Sequence, residues 1–133
     1  MLSAAALCLA MQVYHEARGE GFYGQVAVAQ VVMNRVEDPK FPGTVCAVIL
    51  EDRGPKTYDC QFSWTCDGKS DLPLNQEAFD KAKIIAEEVL AGSLGDITHG
   101  ATHFHSTSIK PPRWAHKLTF TYQTGQHRFF KEN

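Results

Sequence analysis

The 133-residue chain has little that would suit it to a nucleic acid, a nucleotide or a bilayer interior. Lysine and arginine number 13 against 15 aspartate and glutamate residues, a formal net charge of −2, so there is no basic surplus for a phosphate backbone. Attraction to any other anionic polymer must come from a local patch. The longest apolar run, residues 2–13, is broken only by Ser3 and Gln12 and is too short to cross a membrane. It also lacks the basic flank and cleavage site of a signal peptide, which makes it a first core helix and leaves export to another device. No Gly-x-x-x-x-Gly-Lys-Ser/Thr loop is present to cradle phosphates. No Gly-x-Ser-x-Gly elbow is present to expose a serine nucleophile. Repeats, linkers and low-complexity segments are also missing.

Cysteine is sparse. Four are few for a disulfide scaffold. Cys8 lies inside the apolar run and reads as a buried thiol. Cys60 and Cys66 bracket Gln-Phe-Ser-Trp-Thr, a short loop that a disulfide can close, and Cys46 is another possible partner. None of these spacings is the tight C-x₂-C pairing of a structural zinc site.

What is there is an ordinary globular balance, 44% hydrophobic and 21% charged, in a chain long enough for one domain spanning residues 1–133. The pattern predicts a first helix over about Ser3–Arg18, stopped by Gly19 or Gly21. A second runs over about Tyr23–Val36, with Val28, Val31, Val32 and Val36 on one face; its β-branched residues mean that packing, not propensity, must hold it. Asp38-Pro39 and Phe41-Pro42-Gly43 end it. Thr44 caps a short third helix to Leu50. Residues 51–73 show no period, and loops of that length are usually functional. Asn75 is a natural N-cap for a fourth helix to about Leu90, with Gly92 beyond its end. The pattern then turns to strands: Thr102–His105, then Lys117–Gln123 with Leu118, Phe120 and Tyr122 on one face, then Gln126–Phe130 after a Thr124-Gly125 turn. The predicted class is α+β, mostly helical with a small antiparallel sheet from the C-terminal third.

Chemistry concentrates where the first helix ends. Tyr14-His15-Glu16-Ala17-Arg18-Gly19-Glu20 puts an imidazole, two carboxylates and a guanidinium directly after an apolar run. A carboxyl delivered to a surface from a buried helix is partly desolvated, which raises its pKa toward that of a general acid. Glu16 is the candidate. Glu20, four residues on, would share a helix face with it at about 6 Å between Cβ atoms if the helix continued. That is close to the carboxyl separation of about 5 Å in a retaining glycosidase. Gly19 argues that the helix ends first, leaving Glu20 as an N-cap or first-turn anchor of the second helix.

His15-Glu16 does not open an H-E-x-x-H zinc motif, because Gly19 stands where the second His belongs. His103 and His105 share a strand face, but no carboxylate or cysteine lies near them in sequence, so no metal or cofactor is expected. Flat aromatic rings flanked by amides and hydroxyls suit sugar faces. Trp64 with Gln61 and Ser63 in the long loop is the first candidate platform, and Trp114 after Pro111-Pro112-Arg113 the second.

The stretch from Tyr14 to Glu20, together with Gly24-Gln25, Asn34-Arg35, Gln61-Phe62-Ser63-Trp64, Phe104-His105 and Gly125-Gln126-His127-Arg128-Phe129, resembles the SleB/CwlJ family of cell-wall hydrolases over about Val13 to Phe130. The resemblance implies a lysozyme-like or lytic-transglycosylase-like domain with one essential glutamate, which falls on Glu16. It implies cleavage of peptidoglycan between N-acetylmuramic acid and N-acetylglucosamine. Glu16 would protonate the glycosidic oxygen and then act as base on the C6 hydroxyl, leaving a 1,6-anhydro end. It implies a groove lined by His105, with Glu20 and Gln25 beside it. The partner would be glycan strands, met by a monomer on the periplasmic or extracellular side without membrane insertion. The other readings are a hydrolytic muramidase, a zinc-dependent amidase acting on the muramoyl–peptide bond, and a non-catalytic wall-binding module.

Overall fold

A computed structural model describes residues 2–52, 54 and 60–133. Four helices come first: α1 (Ala4–Ala17), α2 (Phe22–Val36), α3 (Val45–Ile49) and α4 (Gln76–Leu90). Three short strands follow, β1 (His103–Ser106), β2 (Thr119–Thr124) and β3 (His127–Lys131), forming one antiparallel sheet in the order β1-β3-β2. The α+β class expected from the pattern is the class observed.

The helix starts are set by side-chain caps. Ser3 accepts the Ala6 N–H at 3.1 Å, Thr44 that of Ala47 at 3.2 Å, and Asn75 that of Ala78 at 3.0 Å. Past the end of α4, Gly92 takes φ +70, the left-handed geometry that favours glycine after a helix. α2 is the exception, because Gly21 is its N-cap and no side chain caps it. Glu20 therefore does not anchor that helix as expected; its carboxylate points to the sheet.

α1 packs on α4, α2 and α3, and α2 packs on α1, α4 and α3 and reaches β1. One face of α2 (Val26, Ala29, Val32) joins Leu9, Val13, Val48, Ile85 and Ala86 in the larger core cluster. The opposite face (Ala27, Val28, Val31) joins Ala17, Ala101 and Phe129 in a second cluster under the sheet. From Gly24 onward the more enclosed helix is thus α2, not α1, whose Leu7 remains 47% exposed. A β-branched helix is held here by burial on two faces.

The sheet departs from the simple alternation expected of it. Phe120 pairs with Phe130 and Tyr122 with Phe129, with a register shift between them. That bulge sends Phe120 and Tyr122 to opposite faces. Tyr122 joins Phe129 in the helix-side cluster, while Phe120 packs edge-on against Phe130 on the other side.

All four cysteines are paired. Cys8 bonds to Cys46, tying α1 to α3, and Cys60 bonds to Cys66. Cys8 is therefore not a free thiol. Its partner lies 38 residues away, a pairing set by packing rather than by local spacing. The Cys60–Cys66 loop contains a 3₁₀ turn, Ser63–Thr65. Within the long loop expected over residues 51–73, positions 53 and 55–59 lie outside the described residues.

Candidate active site

Glu16 is the penultimate residue of α1 and opens into a cleft of about 430 Å³ between helices and sheet. The cleft walls come from three places. Gln61, Phe62 and Ser63 belong to the disulfide-closed loop, His103, Phe104 and His105 to β1, and Trp114 to a 3₁₀ turn after Pro112. Burial pushes the Glu16 carboxyl from 4.5 up to about 7, since a carboxylate loses hydration there that a neutral acid does not need.

A second hollow of about 390 Å³ adjoins on the other side, lined by Gly19, Glu20 and Gln126, and shares Glu16, Ser106 and His127 with the first. Glu16 thus stands at the junction of two hollows. A larger depression of about 560 Å³ on the outer side of α4 is lined by Leu2, Asp80, Lys83, Ile84 and Glu87. It contains no aromatic ring, and hydrogen bonds from Lys83 and Gln76 hold the Asp80 carboxyl below its ordinary value. Chemistry, rather than size, selects the Glu16 cleft.

Arg35 forms the buried base of this cleft. It is 2% exposed, and its Nε–H donates to the Thr102 carbonyl at 2.7 Å just before β1. Its guanidinium lies over Phe41 at 4.8 Å and Phe62 at 5.3 Å from the ring centroids. Phe62 in turn stacks on Phe104. A single cation on α2 thereby joins the loop wall to the strand wall. Asn34, next to it, donates to the Ala101 carbonyl at 2.8 Å and to Asp96 at 3.0 Å, securing the loop that leads into β1.

His103 and His105 do share a face, with Trp114 packed on both at 5.1 and 5.7 Å. Their Nδ1 atoms contact Thr102 Oγ1 at 3.0 Å and the Ser106 carbonyl at 2.8 Å. Among the described residues, no three His, Cys, Asp or Glu side chains converge as ligands for a metal ion.

Of the residues singled out in the sequence, Glu16, Gln61, Ser63, His105 and Trp114 meet in the main cleft, and Glu20 lines the adjoining hollow. Trp64 and Gln25 do not line either. Gln25 is buried, and its Nε2 donates to the Glu20 carbonyl at 3.0 Å. The Trp64 ring stacks on His15 at 4.4 Å, while its Nε1–H donates to the fully buried Gln12 at 2.8 Å. It braces the helix that carries Glu16. Trp64→Ala is therefore expected to destabilise the protein by about 3 kcal/mol, with affinity for glycan oligomers little changed. Calorimetry and oligosaccharide titration of the same sample check both parts.

His127, Ser106 and Arg35 are not distinguished as site residues by local pattern. Nothing near His127 in sequence indicates that β3 begins beside the end of α1. The one available signal is the Gly-Gln-His run after a hairpin turn, and the structure explains it. Glu20 Oε1 accepts the Gln126 N–H at 2.8 Å, and a Cβ on Gly125, which has φ +52, would lie 2.7 Å from that oxygen. On the opposite side, a Cβ on Gly24 would lie 2.7 Å from Glu20 Cβ. Gly24 and Gln25 on one side, Gly125 and Gln126 on the other, all serve to seat one residue, Glu20.

A family model described as cell wall hydrolase matches residues 19–130. The chain belongs to this family. The match begins three residues past Glu16, so the case for that residue rests on its geometry. A spore cortex-lytic enzyme of Bacillus cereus is 32% identical over 123 residues, covering 92% of this chain and 42% of the relative. One from Oceanobacillus iheyensis is 34% identical over 123 residues, covering 92% and 40%. The chain thus spans about two fifths of the length of these curated relatives. Among solved structures, the catalytic domain of the germination-specific lytic transglycosylase SleB from Bacillus anthracis superimposes with a TM-score of 0.76. It is 30% identical, and the match covers 98% of this chain and 97% of that one. The catalytic domain of Bacillus cereus SleB gives 0.69 at 27% identity, covering 98% and 93%. The fold is the lysozyme-like α+β fold of these cell wall hydrolases.

Proposed function

We propose that the chain cleaves peptidoglycan glycan strands between N-acetylmuramic acid and N-acetylglucosamine as a lytic transglycosylase, with Glu16 as acid and then base. The observation that carries this reading is a carboxyl of raised pKa at the junction of two hollows. Near neutral pH a large fraction of Glu16 is protonated and able to donate to the glycosidic oxygen. The bond to the leaving sugar breaks as that proton moves, leaving an oxocarbenium-like carbon and a Glu16 carboxylate. The C6 hydroxyl of the same muramic acid then attacks the carbon, and Glu16 takes its proton back. A 1,6-anhydro end results, and the acid is restored.

That route needs one carboxyl group. Among the described residues lining the two hollows, Glu20 is the other carboxylate, and its Oε1 is committed to Gln126 and faces His127. A nucleophile held in that way is poorly placed for the covalent route of a retaining glycosidase. Gln61, Ser63, His105 and Trp114 supply the amide, hydroxyl, imidazole and aromatic contacts that orient a sugar. Family membership and the solved relative named as a lytic transglycosylase support the same chemistry.

The protein would meet its substrate as a monomer at the periplasmic or extracellular wall. The two disulfides suit an oxidising compartment, and among the described residues no helix is long and apolar enough to cross a membrane.

Mass spectrometry of digested peptidoglycan tests the reading. Anhydro-muropeptides are the expected product; reducing muramic acid ends would indicate a muramidase, free stem peptides an amidase, and unchanged glycan a binding module. Turnover should also fall as pH rises through about 7, because the ionised Glu16 has no proton to give.

A further inference from the structure

His127 occupies a position that the mechanism above does not use. It opens β3, lines both hollows beside Glu16, and is 8% exposed. Its ring is held edge-on by Phe104 at 5.3 Å and contacts Phe129. Nδ1 is fully buried and lies 3.0 Å from Glu20 Oε1. That distance is a hydrogen bond's, but its direction is not, so the contact is electrostatic. A bare nitrogen lone pair this close to a carboxylate oxygen would be repulsive, whereas an N–H dipole there is attractive even away from the hydrogen-bond line. The proton therefore belongs on Nδ1, and Nε2 is left as the nitrogen that reaches the groove.

We propose that His127 is a substrate-orienting residue that offers Nε2 as hydrogen-bond acceptor to a hydroxyl or acetamido N–H of the bound sugar, and that Glu20 is the positioning residue that keeps the proton on Nδ1. This rests on the glycan-cleaving reading of the groove. Burial lowers the His127 pKa, against an opposing pull from Glu20, so the ring is neutral near pH 7 and can accept. The titratable and charged groups that share its hollows are Glu16 at the end of α1, Glu20 just beyond it, Arg35 from α2, and His103 and His105 from β1. Glu20 is itself held in place, since Gln126 N–H binds Oε1 and the side chain packs against Gly24 and Gly125 more closely than a Cβ at either would allow. A tautomer fixed by a neighbouring acceptor is how imidazoles are commonly aimed.

The test combines nitrogen NMR of His127 with turnover on purified glycan strands. In the wild-type protein, Nδ1 should carry the proton and Nε2 should not. Glu20→Gln keeps an acceptor oxygen and should retain that tautomer and most of the turnover. Glu20→Met removes the acceptor and should shift the proton toward Nε2, with turnover reduced on the order of 10²-fold, the scale of a misplaced substrate. His127→Phe keeps the aromatic packing and should show a similar loss in kcat with its melting temperature maintained. A wild-type proton on Nε2, near-full turnover by His127→Phe, or equal losses in Glu20→Gln and Glu20→Met would each overturn the proposal. If Glu20→Met does not fold, the wild-type tautomer and His127→Phe still decide it. A wild-type protein that cleaves no glycan would defeat the proposed function instead, and the nitrogen signals would then decide by themselves whether Glu20 sets the tautomer.

Discussion

Glu16→Gln is expected to lose at least about a hundredfold in glycan cleavage, since a positioned acid contributes about 10²–10⁴-fold and the amide has no proton to transfer. The same substitution should stabilise the protein at alkaline pH. In the folded protein the Glu16 pKa lies near 7, above the ordinary 4.5 of an exposed carboxyl. Below about pH 4 the group is neutral in both folded and unfolded chains and burial costs it little. Between about 4.5 and 7 the unfolded chain ionises first, so folding stability declines across that window. Above pH 7 the accumulated loss is on the order of 3 kcal/mol. The substituted amide carries no charge, so the variant should lack this decline and melt higher than wild type at pH 8. Melting curves at pH 4, 6 and 8, run beside a turnover assay, give the answer. A variant that still cleaves at more than about a hundredth of the wild-type rate would remove Glu16 from the acid role.

Arg35→Leu is expected to have the largest effect on stability. The leucine fills part of the volume but removes the donor to the Thr102 carbonyl and the cation between Phe41 and Phe62. An underpaired buried carbonyl costs about 1–3 kcal/mol, and each desolvated cation–π contact about 1–2 kcal/mol. A loss of roughly 3–5 kcal/mol follows, enough to lower the melting temperature by about 10 °C or more in a domain of this size. The folded fraction should also turn over more slowly, because Phe62 and the loop wall it carries would no longer be held against β1. Thermal unfolding, with activity measured well below the transition, checks both effects. An unchanged melting temperature would mean that Arg35 does not organise the base of the cleft.

Much of the helical half is legible in the amino-acid pattern. Thr44 and Asn75 cap the helices that the pattern assigns to them, and Ser3, read as the first residue of its helix, caps α1 as well. Capping depends on residues within three positions, so the sequence carries most of it; α2, where Glu20 turns to the sheet instead, is the exception. The class of the sheet is legible for the same reason, because turn residues and apolar alternation are local. The bulge that separates Phe120 from Tyr122 is not, since a register shift depends on what the facing strand presents. Trp64 reads as an exposed platform because its neighbours in sequence are polar; its neighbours in space are His15 and Gln12.

Glu16 can be located from sequence because an apolar helix ending in carboxylates already contains the cause of a raised pKa, partial burial of an acid. Its surroundings cannot. Glu20 reads locally as a helix cap, and only the arrival of the β2–β3 turn gives it Gln126 and His127 as partners. Cys8 reads as a buried thiol until α3 brings Cys46 alongside it. The amino-acid sequence by itself determined the helices, the caps of α3 and α4 and a carboxyl at the end of α1, all products of short-range chemistry. Tertiary structure decided the cleft walls, the disulfide partners and the seat of Glu20, because each depends on groups far apart in the chain that only packing brings within bonding distance.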